Sequence, residues 1–245
     1  MSGMLDFSGK TVLVVGGSSG IGNGIARSFL DHGATVHVWG TRPQATDYAG
    51  EEGSDLTGLV YSKVDVSSEE EIAQWPAPFD TLDVLVQSQG IVRYKRQEYT
   101  MAGFNEVLQL NLSSLMACAI RFHDMLRAAK GSMTLVSSTA AFHATIGNPA
   151  YSASKAGTLG LVRTLAQAWA KDGVRVNGLA PGYVATKLTR VTTENPARAE
   201  EAEALIPLGR FGTPAEMGGV ALFLASPLAS YVTGHTIPVE GGMLL

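Results

Sequence analysis

The strongest constraint on the fold is a glycine-rich turn that follows the first apolar run of the chain. Thr11–Val15 is rich in β-branched residues and leads directly into Gly16–Gly22, with the sequence GGSSGIG. A helical pattern then runs from Gly20 to His32, and Gly33 stands where a C-cap belongs. Glycines at these positions permit a tight turn, a close backbone approach to a pyrophosphate and close packing of helix on strand. The turn therefore predicts a strand–turn–helix unit that binds a dinucleotide.

Short apolar runs alternate with helical patterns along the rest of the chain. The further predicted strands are Thr35–Trp39, Leu59–Val64, Leu82–Val86, Ser132–Val136, Val174–Leu179 and Thr236–Val239. Apolar runs of this kind suit parallel strands that are buried on both faces. One helical stripe in the fourth connection consists of Phe104, Leu108, Leu112, Leu115, Ala119 and Phe122. The alternation is typical of an open doubly wound sheet or a closed barrel, and the glycine turn favours the open sheet.

We therefore predict an α/β fold: a single-domain Rossmann-type doubly wound parallel sheet over residues 1–245, with helices on both faces. The segment Thr186–Ile206 interrupts the strand–helix rhythm because it is polar and contains Glu194-Asn195-Pro196. Such insertions commonly cover a ligand. We interpret 186–206 as a substrate lid.

Composition excludes several classes of function. The net charge of −4 argues against a nucleic-acid or anionic-membrane surface. The one cysteine, Cys118, lies in an apolar stretch, which argues against disulfides and thiolate metal sites. Residues 1–10 lack the apolar core of a signal peptide, and no run reaches the ~18 apolar residues that span a bilayer. We predict a soluble, cytoplasmic protein without nucleic-acid or membrane partners and without a metal.

Three residues form a candidate proton-transfer site. Tyr151 and Lys155 are spaced i, i+4 and so project from one helix face, while Ser138 arrives from the end of the preceding strand. A nearby positive charge favours the ionised form of a tyrosine, whose free pKa is about 10, so we expect Lys155 to lower the pKa of Tyr151. Hydride transfer to a carbonyl leaves negative charge on oxygen, which needs a proton and hydrogen-bond donors. Tyr151 would supply the proton and Ser138 a hydrogen bond to that oxygen.

The spacing Gly-x-x-x-Gly-x-Gly, taken with Tyr151 and Lys155, resembles the short-chain dehydrogenase/reductase family. The resemblance covers almost the whole chain. The further matching motifs are Asp65-Val66, Asn111 in LNLS, Val176–Gly182, Val232-Thr233-Gly234 and Val239–Gly242. It implies an NAD(P)-dependent oxidoreductase that interconverts a small-molecule secondary alcohol and a ketone.

The resemblance also implies roles for individual residues. Asp65 and Val66 would contact adenine, Lys155 would hold the nicotinamide ribose, and Asn111 would anchor a water that links Lys155 to solvent. Val184 and Thr186 would hold the carboxamide of the cofactor. The predicted cofactor contacts are Gly16, Ser18, Ser19, Gly20, Ile21, Gly22, Thr41, Arg42, Asp65, Val66, Gly90, Tyr151, Lys155, Pro181, Gly182, Val184 and Thr186. A homotetramer or homodimer is expected, with small residues of the Tyr151 helix at its interface.

The choice between the two nicotinamide dinucleotides depends on the end of the second strand. An acid there normally accepts from the ribose hydroxyls of NAD, but this chain has Gly40 at that place. Arg42 could pair with a 2′-phosphate through charge-assisted bonds, although NADP-selective relatives often carry the arginine where this chain has Thr41. A solvated turn residue is the other interpretation of Arg42. We favour NADP(H), with NAD(H) as the alternative.

Other signals leave questions open. Gln87-Ser88-Gln89-Gly90 replaces the family's Asn-Asn-Ala-Gly and puts a long amide where relatives keep a methyl beside the cofactor ribose. The run Arg93–Arg96 is either an anion-attracting loop or a solvated one. The candidate residues of the pocket wall are Phe142, His143, Thr145 and Tyr183. The alternatives to a dehydrogenase are a catalytically silent dinucleotide-binding protein and a non-redox epimerase or dehydratase.

Overall fold

One sheet of seven parallel strands organises the molecule. Its strands are β1 (Thr11–Val15), β2 (Thr35–Gly40), β3 (Val60–Lys63), β4 (Val84–Gln87), β5 (Ser132–Val136), β6 (Arg175–Pro181) and β7 (Thr236–Val239). Their order across the sheet is β3-β2-β1-β4-β5-β6-β7, which confirms the doubly wound fold. The computed structural model describes residues 3–245, so residues 1 and 2 of the predicted domain lie outside the described residues.

The predicted strands agree with the structure to within one or two residues. β1, β5 and β7 have the predicted bounds. β4 begins two residues later than expected, because the N–H of Leu82 donates to Met125 O on a neighbouring helix rather than to a strand. β6 continues to Pro181, because its last two residues pair with Pro238 and Val239 of β7.

Helices cover both faces of the sheet. They are α1 (Gly20–Asp31), α2 (Glu69–Gln74), α3 (Met101–Leu108), α4 (Ser114–Ala129), α5 (Pro149–Trp169), α6 (Arg190–Thr193), α7 (Pro196–Ala204) and α8 (Pro214–Ala225). Val12 and Val14 of β1 pack with α1 and α8, whereas Leu13 and Val15 face the other way and pack with the core that includes α4 and α5. Successive strand residues point to opposite faces, so β1 is apolar throughout.

A π-turn over Gln109–Ser113 joins α3 to α4. Because a π-turn inserts extra backbone into a helix, it shifts the face that the following residues present. In the predicted stripe, Leu115 and Phe122 are fully buried, whereas Phe104 lies before the turn and is only partly buried. The turn also leaves Asn111 with no exposed surface.

The predicted lid segment, Thr186–Ile206, contains a short 3-10 turn over Lys187–Thr189 followed by α6 and α7. None of the helices within residues 3–245 is long and apolar enough to cross a bilayer. In the same residues, no group of three or more His, Cys, Asp or Glu side chains is arranged to hold a metal ion.

Candidate active site

A cleft of about 660 Å³ lies at the carboxyl ends of the central strands. The sheet order reverses between β1 and β4, and open α/β folds bind ligands at that position. The predicted site residues that line the cleft are Gly16, Ser18, Ser19, Gly20, Ile21, Gly22, Thr41, Val66, Gly90, Ser138, Tyr151, Lys155, Pro181, Gly182, Val184 and Thr186. Three predicted residues are not among the lining residues: Arg42, Asp65 and Asn111.

The glycine turn is shaped by close contacts that no larger residue could make. A Cβ on Gly16 would lie 2.8 Å from Gln89 N at the end of β4, and Gly16 has a φ of 75°. A Cβ on Gly22 would lie 2.2 Å from Gly16 O, so α1 approaches the turn only because residue 22 lacks a side chain. The N-terminus of α1 therefore opens onto the cleft, as a phosphate-binding turn requires.

Ser138, Tyr151 and Lys155 meet at the other end of the cleft. Ser138 follows β5 and caps a short 3-10 turn, with its Oγ accepting from Ala140 N at 3.2 Å. Tyr151 lies in the first turn of α5, one helical turn before Lys155. Lys155 is 4% exposed; its Nζ donates to Val136 O at 2.9 Å and lies 5.6 Å from the centre of the Tyr151 ring.

The two ionisable groups of this site are shifted in opposite directions. Burial raises the pKa of Tyr151 above its ordinary value, and a hydrogen bond with Ser138 only partly opposes that shift. Burial lowers the pKa of Lys155 to about 8. The pKa of Tyr151 is therefore raised and not lowered as expected, because burial is the largest effect and Lys155 Nζ is hydrogen-bonded to Val136 O. As pH rises from neutral, Lys155 loses its proton before Tyr151 does, because the pKa of Lys155 is about 8 and that of Tyr151 is raised.

Asn111 lies beneath the cleft and braces the loop that follows β4. Its Oδ1 accepts from Ile91 N and its Nδ2 donates to Ile91 O, each at 2.8 Å. Nδ2 also donates to Ser154 Oγ on α5 at 3.3 Å. A Cβ on Gly90 would lie 3.5 Å from both Asn111 Oδ1 and Lys155 Nζ. A Cβ at residue 90 would therefore make ordinary van der Waals contact with both side chains, and Gly90 itself lines the cleft.

Comparison with known proteins agrees with this geometry. A family model described as enoyl-(acyl carrier protein) reductase matches residues 15–244. The 3-oxoacyl-(acyl-carrier-protein) reductase FabG of Chlamydia pneumoniae is 38% identical over 242 residues, covering 96% of this chain and 97% of that protein.

Two solved structures extend the match to the fold. A putative NAD(P)-dependent gluconate 5-dehydrogenase from Beutenbergia cavernae, with bound NADP, has a TM-score of 0.88 and 35% identity and covers 99% of both chains. A structure described as a short chain dehydrogenase/reductase family protein has a TM-score of 0.85 at 32% identity, over 97% of this chain and 98% of that one. This chain belongs to the short-chain dehydrogenase/reductase family. It is an NAD(P)-dependent oxidoreductase that acts on a CH–OH group or the corresponding ketone.

The altered motif begins at the last residue of β4, and its Ser88, Gln89 and Gly90 line the cleft of this dehydrogenase/reductase. Gln87 Nε2 donates to Leu115 O at 3.1 Å. Gln89 is only 5% exposed, and its Nε2 donates to Gln87 Oε1 at 3.2 Å and to Ser114 Oγ at 3.1 Å. Both long amides therefore tie β4 to α4, and the backbone at Gly90 stays accessible from the cleft.

Arg42 and Asp65 have partners within the chain. The Arg42 guanidinium lies 4.4 Å from the centre of the Tyr48 ring and donates to Glu51 Oε1 at 2.5 Å. Asp65 accepts from Ser67 N at 2.9 Å and from Ser67 Oγ at 2.7 Å, which lowers the pKa of its carboxyl. Both side chains are placed beside the cleft rather than in its wall.

The weaker signals have mixed outcomes. His143, Thr145 and Tyr183 line the cleft as expected, whereas Phe142 is not among the lining residues and is 47% exposed. In the run Arg93–Arg96, only Tyr94 lines the cleft, and its hydroxyl donates to Leu188 O at 2.7 Å. The Arg93 guanidinium pairs with Glu106, its Nε donating to Glu106 Oε2 at 2.8 Å.

Glu98 is a residue that sequence reasoning missed. Its carboxylate is 1% exposed and accepts from Arg93 N at 2.9 Å, Asn148 Nδ2 at 3.3 Å and Tyr151 N at 2.9 Å. It therefore joins the loop after β4 to the first turn of α5, where an acid is favoured by the helix dipole. A single glutamate within a polar loop gives no periodic signal, so only the fold reveals its position.

Proposed function

We propose that the chain is an NADP(H)-dependent reductase/dehydrogenase for a ketone and its secondary alcohol, with Ser138, Tyr151 and Lys155 as catalytic residues and Asn111 in support. The observation that carries the proposal is the single cleft that begins at the glycine turn and ends at these three side chains. Its volume of about 660 Å³ lies within the range of ligand pockets, roughly 300–1,000 Å³, and both Gly90 and Lys155 line it.

Each side chain has a distinct task in this proposal. A bound nicotinamide dinucleotide would supply or accept the hydride. In reduction, the Tyr151 hydroxyl donates its proton to the carbonyl oxygen as negative charge develops there, and the raised pKa of Tyr151 keeps that proton available. Ser138 Oγ donates a hydrogen bond to the same oxygen. Lys155, charged below about pH 8, would hold the nicotinamide ribose through its ammonium donors.

NADP(H) is favoured over NAD(H) for two reasons. Gly40 offers no carboxylate to the ribose hydroxyls, whereas Arg42 and Lys187 supply positive charge near the adenosine end of the cleft. The Beutenbergia structure, which is similar over 99% of its length, contains NADP.

The substrate end of the cleft favours a ketone with apolar substituents. Its wall includes Val92, Tyr94, Tyr183, Leu188 and Met243. His143, Thr145 and Asn148 also line the cleft and offer polar groups, so the polyhydroxy acid that the name of the Beutenbergia protein indicates is a second candidate substrate. A 3-oxoacyl thioester, which the name of the Chlamydia reductase indicates, is the better match of the two.

The test is the change in reduced-nicotinamide absorbance with NADPH and with NADH, over a panel that contains 3-oxoacyl thioesters, keto-gluconates and simple aryl ketones. Tyr151→Phe, which keeps the ring, should lower turnover at least ~100-fold, since general acid catalysis contributes about that much. Tyr183→Phe is the matched control at the cleft wall and should retain turnover. Equal rates for Tyr151→Phe and the wild type would refute the assignment of the proton donor.

We also propose a homo-oligomer that associates through α4 and α5. Ala153 and Ala156 are exposed on α5, a Cβ on Gly160 would meet nothing within 4 Å, and Ile120 of α4 is 65% exposed. Small exposed residues let a second helix approach closely. Light scattering of the purified chain should give a dimer or tetramer mass, and Gly160→Trp should lower it. The cytoplasmic location stays a prediction.

A further inference from the structure

Residues 45–54, here called the 45–54 segment, fold back across the glycine turn. Gly53 O accepts from Gly20 N at 2.8 Å, and the Tyr48 hydroxyl accepts from Thr41 N at 3.2 Å and from Arg42 N at 3.3 Å. A further acceptor on the segment is Glu51. The segment thus presents three oxygen acceptors toward the adenosine end of the cleft.

Glu51 joins the two cationic side chains near this end. Its Oε1 accepts from Arg42 at 2.5 Å, and its Oε2 accepts from Lys187 of the lid. Both contacts lower the pKa of the Glu51 carboxyl, the contact with Lys187 more than that with Arg42, so it is ionised at neutral pH. The carboxylate therefore ties the end of β2 to the lid.

The hydrogen-bond donors that bond to the 45–54 segment are groups of the kind that bind a phosphorylated ligand. Gly20 N lies in the phosphate-binding turn, and Thr41 and Lys187 line the cleft. Arginine and lysine side chains and free backbone N–H groups are the usual partners of a phosphate monoester. In this structure, acceptors of the chain itself take those partners.

The space around Gly40, the last residue of β2, leaves no room for an acidic side chain at that position. A Cβ on Gly40 would lie 2.7 Å from both the Tyr48 hydroxyl and Ser18 Oγ. An acidic side chain at residue 40 would therefore collide with the 45–54 segment. The carboxylate found here comes instead from Glu51 on that segment, and it is already bonded to Arg42 and Lys187.

We propose that Glu51 is a cofactor-selecting residue: it holds Arg42 and Lys187 in the place of a ribose 2′-phosphate, so that NADP(H) binds by displacing it. The inference rests on the proposed function, because it assumes that the cleft takes a nicotinamide dinucleotide. A phosphate monoester carries a charge of about −1.5 to −2 at neutral pH and so can replace one carboxylate on two cations. A 2′-hydroxyl carries no charge, so NAD(H) leaves the Glu51 contacts in place.

The test compares dissociation constants of NADPH and NADH for the full chain at low ionic strength, measured by fluorescence titration without substrate. Glu51→Gln should tighten NADPH about fivefold, the scale set by two partly exposed ion pairs, and leave NADH within twofold. Glu52→Gln removes the same charge from the neighbouring exposed residue and is the matched control. An unchanged NADPH/NADH ratio in Glu51→Gln, or the same change in Glu52→Gln, would overturn the role of Glu51.

Hydrogen–deuterium exchange provides a second, activity-independent measurement. NADPH should raise amide exchange in residues 45–54 of the wild type, because release of Glu51 loosens the segment and its internal bonds, such as Glu51 N to Tyr48 O and Ser54 N to Glu51 O, then open more often; NADH should raise it less. Slower exchange there with NADPH would overturn displacement of the segment. If the wild type binds neither dinucleotide, the proposed function itself fails, a result that differs from NADPH binding without selection by Glu51.

Discussion

Replacement of Glu98 by alanine tests how the helix that carries Tyr151 is held. The carboxylate is 1% exposed and accepts three hydrogen bonds, from Arg93 N, Asn148 Nδ2 and Tyr151 N. Glu98→Ala removes all three acceptor contacts at once. Two of the donors are backbone N–H groups that then have no acceptor at this position.

The size of the effect follows from those contacts. A hydrogen bond to an ionised group is worth ~1.5–3 kcal/mol, and water that enters the vacated space offsets part of the loss. We therefore expect Glu98→Ala to lower the free energy of unfolding by about 4 kcal/mol. In a chain of this size, 1 kcal/mol shifts Tm by about 2–4 °C, so Tm should fall by roughly 8–16 °C.

Urea and thermal unfolding, followed by circular dichroism, measure the change. Glu106→Ala is the matched control, because Glu106 pairs with the Arg93 side chain in the same region but is 48% exposed. An exposed pair of this kind is worth at most ~1 kcal/mol. If the two variants unfold within about 2 °C of each other, the reasoning that Glu98 anchors α5 is refuted.

Two further predictions concern the charge of Lys155 and the glycine turn. Because burial lowers the pKa of Lys155 to about 8, its charge is present below that pH and lost above it, so kcat/KM for ketone reduction should fall as pH rises through about 8. NMR of 13Cε-labelled lysine, assigned with Lys155→Met, checks that titration directly, and a value near that of a free lysine would contradict it. Gly22→Ala should destabilise the fold by about 3 kcal/mol, because its Cβ would lie 2.2 Å from Gly16 O. Gly219→Ala on α8, where a Cβ meets nothing within 4 Å, should be neutral or slightly stabilising in the same thermal unfolding experiment.

Local sequence patterns predicted the fold and the residues that line the two ends of the cleft. β1 and the start of α1 are encoded by a short apolar run and by glycines whose Cβ atoms would collide, so the signal and its physical cause lie in the same few residues. The i, i+4 spacing of Tyr151 and Lys155 likewise places both side chains on one face of α5. These features need only the geometry of one element.

Contacts between distant segments could not be predicted in the same way. The sequence suggests Arg42 as a phosphate ligand. In the structure, Glu51, nine residues later, accepts hydrogen bonds from both Arg42 and Lys187 of the lid, a contact that the sequence does not indicate. Glu98 reaches the N-terminus of α5 across a separation of 53 residues. In both cases the decisive partner depends on how loops fold over the sheet edge, and loops carry little periodicity.

The direction of the Tyr151 pKa shift could likewise not be predicted from the sequence. An ammonium one helical turn away predicts a lowered tyrosine pKa if both groups are solvated, since attraction is then the larger effect. Here burial is the largest effect on both groups, so each one favours its neutral form: the pKa of Tyr151 rises and that of Lys155 falls to about 8. With the pKa of Tyr151 raised and that of Lys155 lowered, the proton stays on Tyr151 until negative charge develops on a neighbouring substrate oxygen that can accept it. The buried environment, rather than the spacing of the two residues, therefore sets the readiness of this site for proton transfer.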